Sequence, residues 1–93
     1  MNIIDEKFLE DCFDGSMKKE LLLDEAIARP FIHYLGELGT MRFFPHFPRP
    51  FFQIDAGGLV IKGIENNSTL NLMIFDQTKL AVLKTHIESY EPE

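Results

Sequence analysis

The chain has 93 residues, with 15 acids against 9 Lys and Arg for a formal charge of −6, nine Phe, no Trp and a single cysteine. That length makes one domain, residues 1–93, able to bury somewhat over roughly 60 % of its unfolded surface without staples. The acidic balance argues against a nucleic-acid partner, because gripping a phosphate backbone takes clustered Lys and Arg. Cys12 has no second thiol to pair with, which fits a reducing compartment.

The opening MNIIDEKFLEDCF carries acids within its first six residues and no long apolar run, unlike a signal peptide. No stretch approaches the roughly 20 apolar residues of a membrane span. The expected setting is cytoplasmic, with no membrane partner. Within the same opening, residues 5–13 read as a short helix: Asp5 caps it, and Phe8, Leu9, Cys12 and Phe13 recur at helical spacing. This places Cys12 as a buried, inert thiol on an apolar stripe.

Asp14-Gly15 stops that helix, and Ser16 caps a second over 17–28, with Leu22, Leu23, Ala26 and Ile27 on one face. Pro30 breaks the pattern near Arg29 and suits the first turn of a new helix over 30–38, whose stripe is Phe31, Tyr34, Leu35 and Leu38. Gly39 ends it. Thr40 to Phe44 then reads as a strand. Pro45, Pro48 and Pro50 restrict the following segment to a sheet edge or an extended surface crossing, because proline has no N–H to donate.

Residues 51–75 read as three strands. A turn at Asn66-Asn67 sets Gly63 against Leu70, Ile61 against Leu72 and Leu59 against Ile74. The preceding turn has two settings, Ala56-Gly57 or Gly57-Gly58, which place Ile54 against Leu59 or against Ile61. Either way, alternation puts Phe52, Ile54, Leu59, Ile61, Leu70, Leu72 and Ile74 on one face. Asp76 caps a last helix over 77–89 with a stripe of Leu80, Leu83, Ile87 and Tyr90, and the tail Glu91-Pro92-Glu93 is expected to fray. The expected fold is therefore α+β in two layers: N-terminal helices, an antiparallel meander of three to four strands, and a C-terminal helix.

Candidate chemistry is sparse. His33, His46 and His86 lie on three different elements without metal-ligand spacing, so no metal or cofactor is expected. Gly57-Gly58 leads into a strand rather than a helix N-terminus, which suits a hairpin better than a phosphate loop. The acids near the start match no calcium loop. No general acid, base or nucleophile constellation can be assembled from the spacing, so an enzyme ranks behind a binding role.

Two features stand out. The second face of the meander, with Val60, Ile64 and Met73 and with Phe51 nearby, is half apolar. Together with Phe43 and Phe47 these residues form a candidate protein interface, most simply between two copies of the chain. Interleaved with the phenylalanines, Arg42, His46 and Arg49 form the alternative, a small-ligand site in the segment 42–52. The same phenylalanines also suit the edge of the core, with the arginines turned to water. The expected function is a small interaction module or subunit whose partner is a protein or itself.

Overall fold

The computed structural model describes residues 1–91. Its eight elements are, in order, β1 (Ile3–Asp11), β2 (Met17–Leu23), α1 (Arg29–Gly36), β3 (Thr40–Phe44), β4 (Phe51–Asp55), β5 (Leu59–Ile64), β6 (Thr69–Ile74) and α2 (Gln77–Glu88). The six strands form one antiparallel sheet in the order β1-β2-β6-β5-β4-β3. No helix among the described residues is long and apolar enough to cross a membrane.

The meander follows the expected register. Gly63 pairs with Leu70, Ile61 with Leu72 and Leu59 with Ile74. Asn66 takes the left-handed conformation at φ 75°, which an Asn tolerates in a tight turn. The other turn uses the Gly57-Gly58 setting, with Ile54 against Ile61, Ala56 N–H donating to Leu59 O at 2.8 Å, and positive φ at both glycines.

The N-terminal half corrects the sequence reading. Residues 5–13 and 17–28 were expected to be helical, but they supply β1, β2 and connecting loops, so the sheet has six strands and not three or four. Two physical causes mislead the pattern. Irregularities between Ile3 and Asp5 and between Phe8 and Glu10 shift the phase of β1, which hides its two-residue period. The apolar residues that mimic a helical stripe are not core: Phe8 is 53 % exposed and Phe13 fully exposed.

In β2 the run Leu21-Leu22-Leu23 alternates in, out, in. Pairing with β1 on one side and β6 on the other overrides its helix propensity. Cys12 consequently sits half-buried in the β1–β2 turn, where its N–H donates to Ser16 O at 2.9 Å.

The chain crosses from β2 to the far edge of the sheet by way of α1. β2 and β3 run parallel, so a crossover is required. The crossing loop is pinned to the β5–β6 turn, with Ile27 N–H donating to Asn67 O and Asn66 N–H to Ile27 O, both at 2.8 Å. α1 starts at Arg29, one residue before the expected position, and ends at Gly36. α2 runs as the sequence indicates, capped by the Asp76 carboxylate, which accepts from Thr78 N–H at 2.9 Å. The expectation of a frayed tail covers 91–93; Glu91 is exposed and outside α2, and 92 and 93 lie outside the described residues.

Both helices pack on the same side of the sheet. Phe31, Ile32 and Leu35 of α1 and Leu80, Leu83 and Ile87 of α2 share one core with Leu21, Leu23, Phe52, Ile54, Leu59, Ile61, Leu70, Leu72 and Ile74. Gly63 lies mid-strand in this face because the Phe52 ring occupies the space a Cβ would need, 2.7 Å away. The helices clasp one another: Tyr34 Oη donates to His86 O at 2.7 Å, and His86 Nε2 donates to Tyr34 O at 2.8 Å with the two rings stacked. Among the described residues, no helix packs on the opposite side of the sheet.

Candidate interface

That uncovered face can be read row by row from the pairing. One row runs Lys18, Met73, Val60, Asp55, Thr40, with Glu10 beside Lys18 on β1. The next runs Glu20, Asn71, Lys62, Gln53, Arg42, with Lys7 beside Glu20. The third joins Leu22 and Thr69 on one side to Ile64, Phe51 and Phe44 on the other, with Asp5 beside Leu22.

The apolar members gather at one end. Phe51 pairs with Ile64 and with Phe44, whose ring lies 4.6 Å from that of Phe51. The turn after β3 folds Phe47 back onto both, 5.6 Å from Phe44 and 5.3 Å from Phe51 between centroids. Pro45, Pro48 and Pro50 constrain this turn, so the aromatic group sits on a stiffened segment. Phe47 remains half exposed. A three-ring cluster on the water side of a sheet is unusual, because an antiparallel sheet normally turns polar residues to solvent.

Two of the shallow hollows on this face lie among its apolar side chains. One of about 230 Å³ is floored by Val60, Met73 and Lys62 and walled by Leu9 and Lys18. The other, about 310 Å³, lies between Phe51, Ile64, Lys62 and Asn71. Among the described residues the only ion pair on the face joins Lys18 to Glu10 at 3.3 Å, and both side chains are well exposed, so water screens it.

The structure therefore brings Phe47, Phe51, Val60, Ile64 and Met73 onto one face. Phe43 is separate: it pairs with Phe52 on the helix-covered side, with His33 edge-on at 6.1 Å and the Arg29 guanidinium 5.5 Å from its ring centre. Arg42 projects on the uncovered face in a hollow shared with Thr40, Gln53 and Asp55. His46 and Arg49 are exposed in the turn between β3 and β4. The sequence reading overlooked Leu22 and Leu9 and did not single out Phe44. Phe44 was open to discovery through its pairing with Phe51, whereas Leu22 and Leu9 required β1 and β2 to be seen as strands.

Charge chemistry is concentrated elsewhere. On the covered side, where α2 passes the β1 edge, Glu6 accepts from Lys19 at 2.6 Å and also pairs with Lys84 of α2. These two ammonium groups, Lys19 first, hold the Glu6 carboxyl below its ordinary range. Among the described residues there is no group of three His, Cys, Asp or Glu placed to hold a metal ion, and no buried side-chain nitrogen or oxygen lacks a hydrogen-bond partner. Comparison of the chain with protein-family models, with curated proteins and with solved structures gave no match.

Proposed function

We propose that this chain is a small non-enzymatic interaction module that docks on a protein surface through its uncovered sheet face. The observation that carries the reading is the apolar row Leu22, Ile64, Phe51 and Phe44, extended by Phe47 and by the Val60–Met73 pair, on a face no helix covers. The aromatic cluster at one end of the face, bordered by the polar row that holds Lys62, Asn71 and Arg42, supplies the kind of anchoring side chains that interfaces concentrate. The two hollows offer places for a partner's side chains rather than an enclosed chamber for a small molecule.

A ligand site built on Arg42, His46 and Arg49 has less support. Arg42 shares its hollow with the Asp55 carboxylate, which repels the anion the guanidinium would attract.

The test is a photo-crosslinking residue placed at Ile64 and, in a second variant, at Val82 on the exposed side of α2. Irradiation in cells producing the protein is expected to give a discrete adduct from position 64 and none from position 82. No adduct from 64, or equal adducts from both, overturns the proposal.

A further inference from the structure

We infer that the partner on this face is a second copy of the chain, packed sheet on sheet about a two-fold axis running along the strands between β5 and β6. This rests on the docking role of the face proposed above. It is carried by the way the rows complement themselves. β5 and β6 are the two central strands of the six, so such an axis sets β6 against β5 of the second copy, β2 against β4 and β1 against β3.

In the first row, Met73 then meets Val60 of the second copy, and Lys18 meets Asp55. In the third row, Leu22 meets Phe51 of the second copy and Thr69 meets Ile64. In the middle row, Asn71 meets Lys62 and Glu20 meets Gln53. Three of these contacts match in kind, Met73 with Val60, Leu22 with Phe51 and Lys18 with Asp55, and each forms twice about the axis, while on the outermost strands Phe44 lies opposite Asp5 of the second copy. Lys7 faces Arg42 of the second copy at the outermost strands, where the twist of two aligned sheets separates the corners and water screens the pair.

Charge distribution supports the same partner. By register the face carries Lys7, Lys18, Arg42 and Lys62 against Asp5, Glu10, Glu20 and Asp55, four of each sign, in a chain of formal charge −6. The excess negative charge therefore lies off this face. Two copies meeting here bring neutral surfaces together and leave the excess acid, much of it in turns and loops such as Asp14, Asp24, Glu25 and Glu65, outside the contact. Lys18 can leave Glu10 for Asp55 of the second copy at little cost, because an exposed ion pair contributes little.

Size sets the strength. Six strands at about 4.8 Å spacing and about 17–20 Å of length give a footprint of roughly 500–600 Å². This falls below the ~800 Å² per partner of a standard interface, which puts the dimer among weak, exchanging associations.

The experiment is a charge swap followed by sedimentation velocity on the full chain. Lys18→Glu alone sets Glu against Asp55 of the second copy, and Asp55→Lys alone sets Lys against Lys18. Each variant is expected to dimerise about tenfold more weakly than the wild type. An equimolar mixture of the two restores the opposite charges at both sites and is expected to recover dimer. Both positions are on the water side, and rescue in the mixture shows that each variant folds.

A wild type that stays monomeric to millimolar concentration overturns the inference. So does a mixture that associates no better than either variant alone. In either case an Ile64 crosslink adduct of a mass other than twice the chain would leave the docking reading standing, whereas the absence of any adduct would remove both.

Discussion

The two faces of the sheet share the same six strands and differ in what they are asked to do. Ile61 and Val60 are adjacent in β5, as are Leu72 and Met73 in β6. Ile61 and Leu72 pair beneath the helices and are buried, whereas Val60 and Met73 pair on the uncovered side and are only half-buried. The covered face is apolar across β3 to β6 and is closed by Phe31, Leu35, Leu83 and Ile87, with charge at the β1–β2 end where Glu6 meets Lys19 and Lys84. The uncovered face mixes an aromatic end with a row of charges. A face that only met water would have no use for Phe44, Phe47 and Phe51 stacked together, and a face buried within the monomer would not carry Lys62 and Arg42. The comparison teaches that strand alternation in the meander locates a core, while the residues left over on the other side are the ground for the docking proposal.

The largest effect that would break this contrast is at the pair Leu72 and Met73. Leu72→Ala is expected to cost about 2–5 kcal/mol through lost burial and a cavity. Met73→Ala, on the half-buried side, should cost less than about 1 kcal/mol in dilute monomer. Chemical denaturation of both variants measures this directly, and equal midpoints would erase the distinction.

Gly63→Ala sharpens the picture of the covered face. An added Cβ would lie 2.7 Å from the Phe52 ring, so an overpacking loss of about 1–3 kcal/mol is expected, against almost none for Lys62→Ala next to it. The cap of α2 matters next. Asp76→Ala removes the acceptor for Thr78 N–H and should cost about 1 kcal/mol by the same measurement.

The smallest effect is electrostatic. Glu6 is held below its ordinary 4.5 by Lys19 and then Lys84, so its contribution is present above that value and is lost as pH falls through the lowered one. Glu6→Gln should therefore lower stability slightly at neutral pH and flatten the acid side of the pH–stability curve. A curve of unchanged shape would show that the link between β1 and α2 contributes nothing.

Legibility in the sequence divided along the same chain. The meander could be read because its strands are short, regular and bounded by Asn66-Asn67 and Gly57-Gly58, so register followed from turn chemistry. The last helix announced itself by Asp76 and a stripe of Leu80, Leu83 and Ile87. β1 did not, because two irregularities in its pairing break the period and its apolar residues Ile4, Phe8 and Leu9 are exposed. β2 did not, because Met17-Lys-Lys-Glu-Leu-Leu-Leu has strong helical propensity and becomes a strand only through neighbours distant in sequence.

For the candidate interface, Phe51, Val60, Ile64 and Met73 followed from the meander's alternation. Phe43 was grouped with them because nothing in the local sequence shows which side of an edge strand each of two adjacent phenylalanines takes. The pairing of Phe43 with Phe52 and of Phe44 with Phe51 decides it.

The most direct test of the uncovered face as the docking surface is sedimentation velocity of Ile64→Asp beside the wild type, from tens of micromolar to about millimolar, with a thermal melt of each when dilute. A carboxylate there would be buried unpaired in the assembly but would meet water in the monomer. The expected result is a wild type that shifts toward a heavier species with concentration, and a folded variant with a similar melt that does not. Identical sedimentation of the two proteins, or a variant that unfolds as a core substitution would, contradicts it.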